Sequence, residues 1–441
     1  MKIKKVLLIL LCTVTAVLPV MAQYSSVAEE GNKVYLSLED AQNYAIARNN
    51  DLRNSSLQVR EAEMKKWQAI ASMLPQANMN LQYMNMCGYK MQLAMGGVPV
   101  DIAMPPYGNI GVQTSMTVNG QMIMAVLLQD LAKEMQDITH SQSLHDLKIN
   151  VMQSYLAVLV MQDIVNLLDS SLVNLEDLAA MTKRSVEVGV SEPTAADQIM
   201  VRVASIQNSI NSNKRSVEMA YNSLRLMLNI PSSTEIILTQ SLKDLLNADN
   251  VIKMLAEDFD INRNFSYQLQ LKNTELAKKN LVLATMNYSP TLTASYQYTS
   301  KKYFSNEKTM NMQAPNTVSL TLSVPIFTTG KNGAIIQEKK YAYQRALNNL
   351  DYTRDALGVQ NKQLRFDLTN AYETYQNQSY NLEVSKRVFA SASNKYQYGV
   401  ASSLELTNAS NDLITAENQY VQAVLALVNA QVAYMKFINS K

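Results

Sequence analysis

A mainly α-helical fold carrying membrane-type β-hairpins, built twice over, is what this sequence predicts. Three observations predict it. The segments Pro75-Gln-Ala-Asn-Met-Asn-Leu-Gln-Tyr83 and Pro290-Thr-Leu-Thr-Ala-Ser-Tyr-Gln-Tyr298 repeat one pattern at distant positions: a proline after a helical stretch, then alternating polar and apolar residues. A second echo, Val188-Gly189-Val190 and Tyr398-Gly399-Val400, closes a very long helical run in each half. The runs themselves, Gln121 to about Val188 and Asn332 to about Tyr398, contain no proline, and each spans roughly 100 Å at 1.5 Å per residue.

The chain divides accordingly. Residues 1–22 read as an export signal: Lys2, Lys4 and Lys5 precede an apolar core, Val6 to Leu18, too short to span a bilayer comfortably. Val20-Met21-Ala22 fits a cleavage site, so Gln23 begins the mature chain on this reading; a retained anchor helix is the rival. Cys12 lacks a lipidation context. Residues 23–230 form a first repeat of helix, β-hairpin (76–119), long helix, turn near 189–193 and return helix. Residues 231–260 break both periods and read as a small collar on the helical shaft. Residues 261–441 form the second repeat, with a hairpin at 290–326 and a turn near 399–403.

Composition excludes several classes. Of 39 basic and 37 acidic residues, three lysines lie in the signal, leaving 36 against 37, or −1. That balance offers no electrostatic grip on nucleic acid. Cys87 is then alone, so no internal disulfide forms. Twelve glycines and ten prolines are few for this length and disfavour an all-β fold.

Four segments alternate with period two. Ala77, Met79, Leu81 and Tyr83 are apolar between Gln76, Asn78, Asn80 and Gln82. Ile110, Val112, Met116 and Val118 alternate with Asn109, Gln113, Ser115 and Thr117. Leu292, Ala294, Tyr296 and Tyr298 alternate with Thr291, Thr293, Ser295 and Gln297. Val318, Leu320, Leu322, Val324 and Ile326 alternate with Thr317, Ser319, Thr321 and Ser323. A half-buried soluble sheet would alternate likewise. The wet faces, however, are uncharged, as a barrel lumen tolerates, and the lengths match the ~9–11 residues of a tilted membrane strand. Four strands cannot close a barrel, and an open edge in lipid leaves backbone groups unsatisfied. Three copies would pool twelve. The intervening loops, about Met91 to Tyr107 and Lys301 to Pro315, then face away from the cell. The first, rich in Met, Gly and Pro, reads as a lipid contact or as a variable loop.

The last helix shows how the shaft is built. Leu413, Ala416, Tyr420, Ala423, Leu427, Ala430 and Tyr434 follow heptad spacing, and Ile414, Val421, Leu425, Val428 and Val432 run beside them. Two adjacent seams let one helix touch a neighbour on each flank, as a closed ring requires. Asn411, Thr415, Gln422 and Asn429 form a third, uncharged stripe, suited to a water-filled bore or to the solvent side of a bundle.

These residues resemble the TolC-type outer-membrane efflux family over essentially the whole mature chain. The resemblance is carried by Leu322-Ser-Val-Pro-Ile-Phe327 with Gly330, by Tyr396-Gln-Tyr-Gly-Val-Ala-Ser-Ser-Leu-Glu-Leu406, and by their order across two halves. It implies a homotrimer: a twelve-stranded β-barrel in the outer membrane, continuous with a long periplasmic α-helical barrel. The implied role is a passive exit duct of a tripartite efflux or type I secretion system, exporting small toxic solutes or other cargo. The implied partners are a periplasmic adaptor, an inner-membrane transporter and outer-membrane lipid. Glu405 falls where the family commonly has Asp, so three copies would ring the periplasmic aperture with carboxylates; Ser402-Ser403-Leu404-Glu405 also fits a helix capping box. Tyr396 matches an aromatic position near the aperture, and Asn408 stands where a second acid occurs. Ala401 replaces a basic residue of some relatives' locking network, and Ala195 an acid of the first turn. Gly189, Val190, Gly399 and Val400 would present the adaptor-docking tips.

Catalytic readings find little. His140 and His145 are five apart, off the four-residue spacing of helical metal ligands, and read as exposed. No phosphate-binding Gly-rich loop or Gly-x-Ser-x-Gly elbow occurs. The methionines read as packing, and Trp67 as core. The expectation is no enzyme, cofactor or metal. The other functional reading is a periplasmic coiled-coil adaptor or envelope spacer without channel activity.

Overall fold

A computed structural model of the chain describes residues 29–438 apart from 31–32, 96, 190–191, 246–247 and 305–314. The expected export signal and Val190 lie outside the described residues.

Side-chain caps and prolines punctuate the chain. After strands β1 (Glu29–Glu30) and β2 (Lys33–Leu36), Ser37 opens helix α1 (Leu38–Arg48) with a capping box: its hydroxyl accepts the Asp40 N–H, and the Asp40 carboxylate accepts the Ser37 N–H. Asn49 caps α2 (Asn50–Ala71) with its side-chain oxygen alone, accepting from Leu52 N. Pro75 follows, and the period changes. Strands β3 (Gln76–Met84), β4 (Lys90–Met95), β5 (Val98–Ala103) and β6 (Tyr107–Val118) lead into α3 (Gly120–Glu187), capped by Asn119. Helix α4 (Pro193–Leu228) returns with proline in its first turn, where a missing N–H costs nothing. Then come β7 (Glu235–Leu238), α5 (Leu242–Leu245), α6 (Ala248–Ala256), α7 (Phe265–Thr285), β8 (Thr291–Tyr303), β9 (Asn316–Ser323), α8 (Lys331–Gln397) and α9 (Ser403–Ile438).

The long helices α3 and α8 have 68 and 67 residues. Each ends on a glycine in the left-handed region, Gly189 at φ +77° and Gly399 at φ +73°. At the second, Val400 N–H donates to Lys395 O at 2.9 Å and Gly399 N–H to Tyr396 O at 3.0 Å. This Schellman closure satisfies the orphan carbonyls and turns the chain back sharply.

Among the described residues three sheets form: β1-β2-β7, β3-β6-β8-β9, and the β4-β5 ribbon. The first joins the N-terminal segment in parallel to the 231–260 region, with Val34 opposite Ile236 and Leu36 opposite Leu238. Tyr155 of α3 is fully buried beneath it, and its hydroxyl donates to Leu36 O at 3.1 Å.

Apolar clusters run along the shaft. One gathers β2, β7, α1 and the middle of α3; a second joins α3, α4, α8 and α9 toward the turns; a third joins α6, α8 and α9. Helix α9 packs on two flanks, as its seams predict. Leu427 and Tyr434 bury against Leu357 and Leu368 of α8, while Val424, Val428 and Val432 join the α3 cluster.

Several expectations are corrected. Strand β9 stops at Ser323, so Val324 and Ile326 lie beyond it: Pro325 has no N–H to donate and restricts its predecessor. The expected loop from Met91 is a ribbon, pairing Met91 with Ile102 and Leu93 with Val100 across Gly97 at φ +87°. Trp67 is 57% exposed rather than core. The histidines are not free on the surface: Ser55 Oγ lies 2.7 Å from His140 Nδ1, and His145 is half-buried against Phe265. Helices α3 and α9 each hold an 18-residue window apolar enough to cross a bilayer, with mean hydropathy 1.6 and 1.4. Within the chain 33% of the α3 window and 44% of the α9 window are buried, so packing into its own shaft covers less than half of that apolarity.

Candidate functional site

The four-stranded sheet is in phase across every pair. Val318, Tyr296, Thr114 and Ala77 share one row, and Tyr298, Val112 and Met79 the next. On the opposite face, Thr317, Gln297, Gln113 and Asn78 align, as do Ser319, Ser295, Ser115 and Gln76. One face is therefore mainly apolar, interrupted by Thr114 within it and by Asn316, Ser300 and Lys302 toward the end far from the helices. The other is mainly amide and hydroxyl, knitted by Ser295–Ser319 at 2.7 Å and Thr117–Thr293 at 3.2 Å, with Lys301 near its Tyr303 end.

Neither face is covered by the chain's own helices. Val318 is 81%, Leu320 72% and Leu81 71% exposed. A water-soluble sheet buries its apolar face, since each large aliphatic side chain is worth about 1.5–3 kcal/mol of burial. Here that stabilisation is forgone along a whole face. Strands β3 and β9 form the edges, and neither has a second partner strand among the described residues.

At the far end of the shaft, α8 and α9 enclose a groove of about 750 Å³ lined by Arg387, Lys395, Glu405, Asn408 and Asp412 among others. Ser402 caps α9 by accepting the Glu405 N–H at 3.1 Å, one half of the expected capping box. The Glu405 carboxylate lies 4.0 Å from Lys395 Nζ. Tyr396 takes a different position, packed against the Leu382 and Phe389 cluster. The sequence-predicted trio is thus divided: Glu405 and Asn408 share the groove, and Tyr396 supports its wall. Gly189, Gly399 and Val400 are exposed at the two turns.

Asn411, Thr415, Gln422 and Asn429 all lie on the exposed side of α9. Asn411 also accepts a hydrogen bond from Arg202 of α4, tying the two return helices together. Arg202 and Lys395 were not singled out by the sequence, because neither carries a local signature; only the fold brings them to their partners.

Glu417 was also missed, though a signal exists. Ser410, Glu417, Val424 and Gln431 recur every seven residues on α9, and all four are buried. Polar residues therefore occupy a packing seam. Ser171 Oγ of α3 lies 2.7 and 2.6 Å from the two Glu417 carboxylate oxygens. Burial raises the Glu417 pKa above its ordinary 4.5, opposed by the Ser171 hydrogen bond and by Lys386. The sign follows from linkage. A carboxyl whose folded pKa lies above the unfolded value contributes most at acid pH, and that contribution is lost as pH rises through the folded pKa. Glu417→Gln should flatten this descending limb and raise the unfolding temperature at neutral pH, while Glu417→Leu orphans Ser171 at about 1–3 kcal/mol. Thermal unfolding of both variants across about pH 4 to 8, from the carboxylate range upward, measures it; a parallel slope for wild type and Glu417→Gln excludes the role.

Among the described residues no group of three or more His, Cys, Asp or Glu side chains is placed to hold a metal ion.

Residues 261–440 match the family model described as outer membrane efflux protein. Three solved structures share the fold at low identity. The outer membrane protein VceC from Vibrio cholerae is 12% identical, covers 91% of this chain and 96% of its own, and superposes with a TM-score of 0.72. The open state of the Neisseria gonorrhoeae MtrE outer membrane channel gives 16% identity, 91% and 89% coverage and 0.70. The Campylobacter jejuni CmeC outer membrane channel gives 15%, 92% and 87%, and 0.68. No curated protein matches the chain in sequence.

Proposed function

We infer that this chain is a TolC-type outer-membrane efflux protein, the passive exit duct of an efflux system, with its helical shaft in the periplasm. The observation that carries this reading is the four-stranded sheet, bare on both faces, mainly apolar on one and amide and hydroxyl with a single lysine on the other, set at the end of helices about 100 Å long. Lipid suits the first face and water the second.

The two open edges require company. In a bilayer each unsatisfied backbone group costs several kcal/mol, so β3 of one copy pairs with β9 of the next until the sheet closes. Three copies give twelve strands, an even number within the range of such barrels. The surface supports this. One chain exposes 28570 Å², against about 17,000 Å² expected of a compact monomer of this mass. Helix α8 also leaves Tyr352, Val359, Phe366 and Tyr380 exposed at multiples of seven residues, an unfilled coiled-coil seam for a neighbouring copy. A helical adaptor or spacer has no use for such a sheet.

In the trimer, the duplicated halves alternate around the shaft. Asn411, Thr415, Gln422 and Asn429 line the bore, and three copies of Glu405, with Asn408 beside them and Tyr396 supporting the wall behind, narrow its periplasmic end. The turns at Gly189-Val190 and Gly399-Val400 dock a periplasmic adaptor, which links the duct to an inner-membrane transporter. That transporter supplies the energy, since this chain has no nucleotide-binding motif. Small toxic solutes are the expected cargo.

Reconstitution in planar bilayers tests the reading. A heat-modifiable trimer should give stable single-channel steps; a soluble species without conductance would overturn it in favour of the spacer. Glu405→Gln should weaken divalent-cation block of the current severalfold, because the ring loses its charge while keeping its shape. Unchanged block removes Glu405 from the gate.

A further inference from the structure

The strands of the four-stranded sheet are nearly free of charge. Among their described residues only two side chains are ionised, Lys301 and Lys302, adjacent on β8 and therefore on opposite faces. Register assigns each face. Lys302 pairs with Gly108, which faces Tyr83, in the apolar rows. Lys301 pairs with Asn109, which faces Gln82, in the row that continues Gln297–Gln113 and Ser295–Ser115. Both lie at the end of β8 far from the helices, since the strand enters from α7 at Thr291.

Lys301 is also held in place. Its ammonium sits 3.7 Å from the Tyr107 ring centroid and 4.9 Å from that of Tyr303, and the two rings lie 5.8 Å apart. A cation over aromatic faces is attracted by their quadrupoles, which fixes its position without neutralising it. A free lysine on a barrel wall would sample many rotamers; this one is pinned. No carboxylate on the four strands offsets it, and the two hairpins, 76–118 and 291–323, together carry four lysines against two acids.

We propose that Lys301, clamped between Tyr107 and Tyr303 on the polar face, is the selectivity determinant of the outer mouth: three copies form a positive ring that attracts small anions. This rests on the duct reading. Rings of lysine or arginine favour anions in pores, as carboxylate rings favour cations. The two ends of the bore then carry opposite charge, Glu405 inward and Lys301 outward.

The test is the reversal potential of the full-length protein in planar bilayers under a potassium chloride gradient near 0.1 M. Lys301→Gln should lower the chloride-to-potassium permeability ratio about two- to threefold, and Lys301→Glu should lower it further. The differences should shrink near 1 M salt, where the Debye length falls from about 10 to about 3 Å. Lys302→Gln removes the same charge one residue away, on the lipid side, and should leave the ratio unchanged. Single-channel steps with an unchanged ratio in Lys301→Gln overturn the inference and leave the duct standing. An equal shift in Lys302→Gln overturns the assignment of faces. Absence of any steps overturns the duct and the ring together.

Discussion

Val318→Arg will keep the chain from forming a stable outer-membrane trimer, whereas Thr317→Arg, one residue earlier on the same strand, will leave assembly intact. Val318 lies in the apolar row with Tyr296, Thr114 and Ala77, near mid-height of the sheet, and is 81% exposed. An arginine at the bilayer midplane costs about 2–4 kcal/mol on a barrel's lipid face, and a trimer bears it three times. Thr317 points the other way, beside Gln297 and Gln113, where a charge keeps its water. Membrane fractionation and the yield of heat-modifiable trimer read the difference directly. Equal behaviour of the two variants would mean that the sheet has no lipid-facing side.

The second large effect belongs to the junction between shaft and collar sheet. Tyr155→Ala should destabilise the fold by about 3–5 kcal/mol, the cost of emptying a fully buried aromatic site. The ring is 0% exposed beneath β2, in one cluster with Val34, Leu36 and Ile236. Tyr155→Phe should cost only about 0.5–1.5 kcal/mol, the worth of one hydrogen bond. The Leu36 carbonyl that the hydroxyl donates to is not orphaned by its loss, because Thr239 N–H also donates to it at 3.0 Å. Urea or thermal unfolding of both variants separates packing from hydrogen bonding. If the alanine variant is as mild as the phenylalanine one, Tyr155 does not pin the collar.

Much of this molecule is legible because much of it is periodic and local. The long helices were readable to within a residue or two, since proline, glycine and the 3.6-residue period act on the segment that contains them. The strands were readable from alternation, which depends only on the pleat. The β4-β5 ribbon was not recognised, although Met91, Leu93 and Met95 alternate and mirror Val98, Val100 and Ile102; Pro99 and the glycine content made the stretch read as loop. Strand β2 escaped because four residues carry too little pattern, and its parallel partner β7 lies some two hundred positions away. Glu417 escaped because one helix seen alone does not reveal which polar residue faces a seam and which faces water.

By itself, then, the sequence determined the lengths of the helices, the sharpness of the Gly189 and Gly399 turns, and the two-faced character of each strand. Those follow from hydrogen bonds and side-chain directions within a few residues. The tertiary structure decided that β6 pairs with β8, which leaves β3 and β9 as the open edges, and that the Lys301 ammonium sits over the Tyr107 ring of the neighbouring strand. It also decided that Ser171 meets Glu417. Such choices depend on contacts between distant segments, where burial and pairing compete across the whole chain and no local pattern settles the outcome.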